Sequence, residues 1–72
     1  MSSVHRYTIV IRPDDSTFVA YVPAIDGCHA WGVSAEQARV ELQHVFEMIS
    51  EEAEEQHRPL PDDVRLTITR AG

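Results

Sequence analysis

Apolar and polar residues alternate from His5 to Arg12, with Tyr7, Ile9 and Ile11 directed one way and Thr8 and Val10 the other. A two-residue period in a run of β-branched and aromatic side chains predicts a strand. Pro13-Asp14-Asp15-Ser16 reads as a turn, because Asp and Ser side chains hydrogen-bond their own backbone. Alternation resumes from Thr17 to Val22, with Phe18, Ala20 and Val22 opposed to Val19 and Tyr21, so the two runs predict a β-hairpin. Pro23 ends the second run, having no N–H to give to a ladder. Ala24-Ile25-Asp26-Gly27 is then a loop in which Gly27 can take a positive φ. Cys28 to Trp31 predicts a short third strand, closed by Gly32.

The period changes at Ser34. Ser34 and Gln37 have the spacing of a reciprocal capping box. Beyond them Ala35, Ala38, Leu42, Val45, Phe46, Ile49 and Ala53 recur at helical spacing and form one apolar stripe. Glu36, Glu47, Glu51, Glu54 and Glu55 fall on the opposite side. Pro59 and Pro61 predict that the helix stops near Gln56 or His57. Val64, Leu66 and Ile68 alternate with Arg65, Thr67 and Thr69 and predict a final strand. The order β-β-β-α-β describes an α+β fold: a small, largely antiparallel sheet with one helix on one face. No repeat or linker divides the chain, so residues 1–72 are expected to form one domain.

A single helix covers one face of a sheet, yet the first two strands are apolar on both. Val10, Val19 and Tyr21 occupy the side opposite Ile9, Ile11, Phe18 and Ala20. The uncovered set is expected to be an interaction surface. Whichever set packs on the helix, the other needs cover, and Val10, Val19 and Tyr21 are the expected oligomer interface.

Size sharpens that expectation. A chain of 72 residues buries only about 60% of its unfolded surface, so its core is marginal without a staple or a partner. One cysteine, Cys28, excludes an internal disulfide, and no paired-cysteine spacing suggests zinc. The free thiol fits a reducing cytoplasm. No signal-peptide core or transmembrane run is present; Phe18 to Ile25 is short and broken by Pro23. All six basic residues are arginines, against twelve acids, for a net charge of −6. No basic cluster exists to displace counterions from phosphates, so direct nucleic-acid binding is not expected. A basic protein partner would be attracted.

The order of these features resembles the HicB-like antitoxins. The resemblance rests on strand-turn-strand, then Pro23, Gly27 and Cys28, then Gly32 and Ser34, the helix start Ala35-Glu36-Gln37-Ala38, and Pro59-Leu60-Pro61 after the helix. It spans about Tyr7 to Ile68. It implies a partial ribonuclease-H-like domain that binds and neutralises HicA, a small, basic, RNA-cleaving toxin, and it implies dimers or tetramers. Ala24, Asp26 and Val33 depart from the family's usual residues. The chain ends at Gly72, directly after the last predicted strand, so the DNA-binding domain carried by many HicB proteins is not expected here.

A ribonuclease-H-like outline prompts a search for a two-metal carboxylate site, which needs several converging acids. The loop acids are Asp14, Asp15, Asp26, Asp62 and Asp63, and none falls inside a predicted strand. Cys28 and His29 are adjacent, so on a strand they point to opposite faces and form no nucleophile–base pair. His44 and His57 are about 140° out of phase on a helix and share no metal. Gly27 and Gly32 lack the spacing of a phosphate loop. The chain is therefore expected to bind rather than catalyse, with no catalytic residues, metal or cofactor. The expected partner-binding residues are Asp26, Cys28 and Trp31 in one segment, and Glu47, Glu51 and Glu54 on the helix. A self-assembling adaptor without a toxin is the alternative, and a metal-dependent nuclease a third reading.

Overall fold

The computed structural model describes residues 6–63. They form β1 (Val10–Asp14), β2 (Thr17–Tyr21), β3 (His29–Gly32) and α1 (Ala35–Glu55). The strands make one antiparallel sheet in the order β1-β2-β3. The helix packs on one face, the α+β layering that the alternation predicts. The last predicted strand, Val64 to Ile68, lies outside the described residues.

The hairpin is tighter than composition suggests. The first strand was expected at His5 to Arg12, but the ladder runs from Val10 to Asp14, and Asp14 pairs with Thr17. Only Asp15 and Ser16 remain in the turn. Asp15 takes φ 55°, a left-handed conformation that aspartate tolerates better than most residues and that suits two-residue hairpin loops. Thr17 Oγ1 donates to the Asp14 carbonyl at 2.7 Å, closing the turn. Pro13 thus sits within β1, opposite Phe18. Among the described residues β1 is an outer strand, where a missing N–H is tolerated.

The third strand is also displaced by one residue, from Cys28–Trp31 to His29–Gly32. Cys28 is occupied by the preceding loop: its N–H donates to the Ile25 carbonyl (3.2 Å), and its own carbonyl accepts from Val22 N–H (3.0 Å). Gly27 takes φ 79° in that loop. Val22, Ile25 and Cys28 are thereby turned inward.

Ala20, Ala30 and Ala38, all buried, let the helix approach the sheet closely, and Leu42, Phe46, Val22, Cys28 and Ile25 fill the space around them. Tyr7, Ile9, Phe18, Val45, Ile49 and Leu60 pack at the margin. The contact is tightest at Gly32, where an added Cβ would overlap the Ala38 nitrogen and lie 2.8 Å from the Gln37 carbonyl carbon. The apolar stripe begins at Ala38, because Ala35 is exposed at the first turn.

Both helix ends are finished by local hydrogen bonds. Gln37 N–H donates to Ser34 Oγ at 3.1 Å. The return bond differs from the reciprocal box, because Gln37 Oε1 accepts from Val33 N–H (2.9 Å), one residue before the cap. At the other end Gln56 is the cap, and His57 adopts φ 54°. His57 N–H donates to the Glu54 carbonyl (3.2 Å), and Arg58 N–H donates to the Ala53 carbonyl (2.8 Å). That pair of bonds is a Schellman motif with histidine where glycine is usual. Among the described residues no helix is long and apolar enough to cross a membrane.

Candidate functional site

The register sorts the expected interaction residues onto two sides of the sheet. Paired residues on neighbouring strands point the same way, so Ile11, Ala20 and Ala30 face the helix. Val10, Tyr21 and His29 form the next row, and Arg12, Val19 and Trp31 the one after; both rows face away from the helix. Val10, Val19 and Tyr21, expected as an oligomer interface, therefore share one face with Trp31, expected as a partner contact. All three of the former are half-buried, and Trp31 is 50% exposed.

Trp31 is held in place. Its Nε1–H donates to Asp14 Oδ2 at 3.0 Å, and the His29 ring meets it edge-on with centroids 4.9 Å apart. Beside it a shallow hollow of about 640 Å³ is lined by Val19, Tyr21, Pro23, Ile25, Asp26 and Trp31, among others. Asp26 is exposed and lines the same hollow as Trp31. Cys28 is separated from them: its side chain is 1% exposed and belongs to the core under the helix. Burial pushes the Cys28 thiol above its ordinary pKa.

Glu47, Glu51 and Glu54 are exposed on the helix, across the sheet from Trp31. They line a groove of about 820 Å³ whose other wall is made by Arg6, Tyr7, Leu60, Pro61 and Asp62. That wall is a strap of two chain segments. Tyr7 OH donates to the Pro61 carbonyl at 2.6 Å. Thr8 N–H and Oγ1 donate to the Asp63 carboxylate at 2.9–3.0 Å. The Tyr7 ring also packs against Phe46, with centroids 5.7 Å apart. Desolvation raises the Tyr7 phenol pKa, the Asp62 and Asp63 carboxylates add to the rise, and Arg6 opposes it.

The acids are concentrated where the helix is already negative. Glu51, Glu52, Glu54 and Glu55 occupy its last turns, and the last turn holds no basic residue. The carbonyl end of a helix carries about half a negative charge. Arg58 follows the cap, and it and Arg6 are the cations lining the groove. Nearer the helix start Arg39 Nη2 meets Glu36 at 3.0 Å.

Sequence reasoning missed three residues here. Arg12, Asp14 and His29 join the open face only once the hairpin register is known. Asp14, weighed as a metal-binding acid, instead holds an indole. Among the described residues no group of three or more His, Cys, Asp or Glu side chains is arranged to hold a metal ion.

The fold and its surfaces define a small α+β domain with an acidic helix on one side and an apolar sheet face on the other. No family model matches the chain, and no solved structure matches it. It is similar to UPF0150 protein ssr1765 of Synechocystis sp., at 26% identity over 61 residues, covering 83% of this chain and 77% of that protein. That likeness is distant, and the relative's name gives a family but no activity.

Proposed function

We propose that this chain is a HicB-like, antitoxin-type binding module that neutralises a small basic, RNA-cleaving toxin by covering its active surface. The observation that carries the reading is the row Glu47, Glu51 and Glu54 along a groove at the negative end of the helix. Such a surface competes with RNA phosphates for the arginines and lysines of an RNA-binding protein, and complementary charge speeds its encounter with them. The motif order from Pro23 to Pro61, the α+β layering and the distant UPF0150 likeness support the same family. The module acts by binding, without catalysis or cofactor, in the reducing cytoplasm that a free Cys28 suits.

A second reading is a self-assembling adaptor with no toxin, and the uncovered sheet face of Val10, Val19, Tyr21 and Trp31 favours it. One experiment separates the two. The tagged chain is used to capture proteins from its native cytoplasm, and each basic protein recovered is assayed for RNA cleavage with and without the chain. Recovery of a small RNA-cleaving protein that the chain inhibits, and that Glu47→Arg/Glu51→Arg fails to inhibit, supports the toxin reading. Recovery of the chain alone overturns it in favour of the adaptor.

A further inference from the structure

We propose that the hollow beside Trp31 is a binding site for one arginine side chain presented by a protein partner. The site lies across the sheet from the acidic groove and is independent of any toxin.

The sheet builds the site. Trp31 stands on β3 and Asp14 on β1, so the indole reaches across β2 to give its N–H to Asp14 Oδ2 at 3.0 Å. Its one hydrogen-bond donor is thereby used, and an arriving group meets the π system of the ring. Tyr21 pairs with His29 and Val19 with Trp31, which puts Tyr21 and Trp31 on the diagonal of neighbouring strands. Diagonal positions are about 7–8 Å apart, close enough for one inserted side chain to touch both. The hollow of about 640 Å³ opens there, with Val19 and Pro23 as apolar lining. Because Asp14 and His29 already hold the indole, little side-chain freedom is lost when a ligand arrives.

Charge selects the occupant. Tyr21, His29 and Trp31 all line the hollow, and the negative face of an aromatic ring attracts a cation. Asp26, exposed on the same lining, adds a carboxylate. None of the described residues lining the hollow is a lysine or arginine. Arg12 shares this sheet face but stands on β1, and it is not among the lining residues. The chain as a whole, at −6, draws cations and repels acidic segments. Arginine suits the site better than lysine, because its planar guanidinium stacks on aromatic rings and is more weakly hydrated. Its methylene stem is matched to the apolar lining of Val19 and Pro23. Sites for free small molecules bury most of their ligand, whereas a shallow hollow covers one side chain. The arginine therefore arrives on a polypeptide whose backbone stays outside.

Trp31 is the only tryptophan in the chain, so its emission reports occupancy. The probe is a short blocked peptide of glycine and serine with one central arginine, titrated into the full chain to millimolar concentration. Its control carries citrulline, which keeps the shape of arginine without the charge. A saturable change in emission is expected with arginine, and binding at least about fivefold weaker with citrulline. Asp26→Arg should weaken binding by about tenfold, whereas Glu47→Gln/Glu51→Gln should leave it unchanged. Trp31→Ala, followed by calorimetry, should abolish it. Asp26 is exposed, so its variant keeps the result readable if circular dichroism shows that Trp31→Ala folds poorly. No response to the arginine peptide overturns the proposal, and so does equal binding of the citrulline peptide. Binding lost in the glutamate variant but kept in Asp26→Arg also overturns it, by placing the arginine in the acidic groove. Emission that follows protein concentration and ignores the peptide does the same, since a second copy would then fill the hollow.

Discussion

The Cα of Gly32 sits so closely beneath the Ala38 amide that a methyl group at position 32 would overlap it. Ala38 N–H donates to the Ser34 carbonyl at 2.9 Å, the first bond of the helix. The third strand and the helix start are therefore locked to each other by the absence of one carbon. Gly32→Ala must push the helix outward or bend the strand, and overpacking of this kind costs about 1–3 kcal/mol. Urea unfolding should show that loss, with the slope of the transition little changed.

His57 supplies the opposite case. Its φ of 54° is adopted at the helix end without a glycine, at a cost of about 1–2 kcal/mol for a residue with a Cβ. The side chain is exposed. His57→Gly should raise stability by a few tenths to about 1 kcal/mol, the gain being limited by the added freedom of glycine in the unfolded chain. Thermal unfolding followed by circular dichroism measures it.

Alkaline pH should weaken the fold in two stages. Burial lifts the Cys28 thiol above its ordinary 9.0, and desolvation with the nearby acids lifts Tyr7 above 10.0. A group that holds its proton more tightly when folded contributes fully below its unfolded pKa, and that contribution is lost as pH rises through its folded value. The denaturation midpoint should therefore fall as pH passes 9 and fall again beyond 10. Cys28→Ala should remove the first decline and leave the second.

One carboxylate makes three of the contacts in the strap beside the acidic groove. Asp63 accepts from both the N–H and the hydroxyl of Thr8 at 2.9–3.0 Å. These bonds are exposed, so Asp63→Ala should cost no more than about 1–2 kcal/mol. Its clearer effect is local: hydrogen exchange at the Thr8 amide should accelerate well before that of the Leu42 and Phe46 amides.

Much of this architecture could be read from spacing. Ser34, Leu42, Phe46 and Pro59 locate the helix, because a cap, a 3.6-residue period and a breaker are local signals. Alternation separates Phe18, Ala20 and Val22 from Val19 and Tyr21, but which set faces the helix is set only by the packing. The hairpin did not follow, because Pro13 and Asp14 carry turn chemistry but sit in a ladder, the bend being confined to Asp15 and Ser16. That difference of two residues matters beyond the turn. Asp14 holds the Trp31 indole from the last position of β1, and the grouping of Trp31 with Val19 and Tyr21 follows from the register. Cys28 reads two ways in the sequence, as a small buried hydrophobe and as part of a contact segment, and the Val22–Cys28 hydrogen bond turns it inward.

The acids in the last turns of the helix have a consequence for ionic strength. Glu51, Glu52, Glu54 and Glu55 repel one another and the carbonyl end of their own helix, and each such placement costs about 0.3–1 kcal/mol when unscreened. Added salt relieves that repulsion, so the free chain should become more stable as salt rises. A cationic surface docked on the same residues would respond the other way, since salt screens the attraction that holds it. One group of charges thus gives the free and the bound protein opposite salt responses.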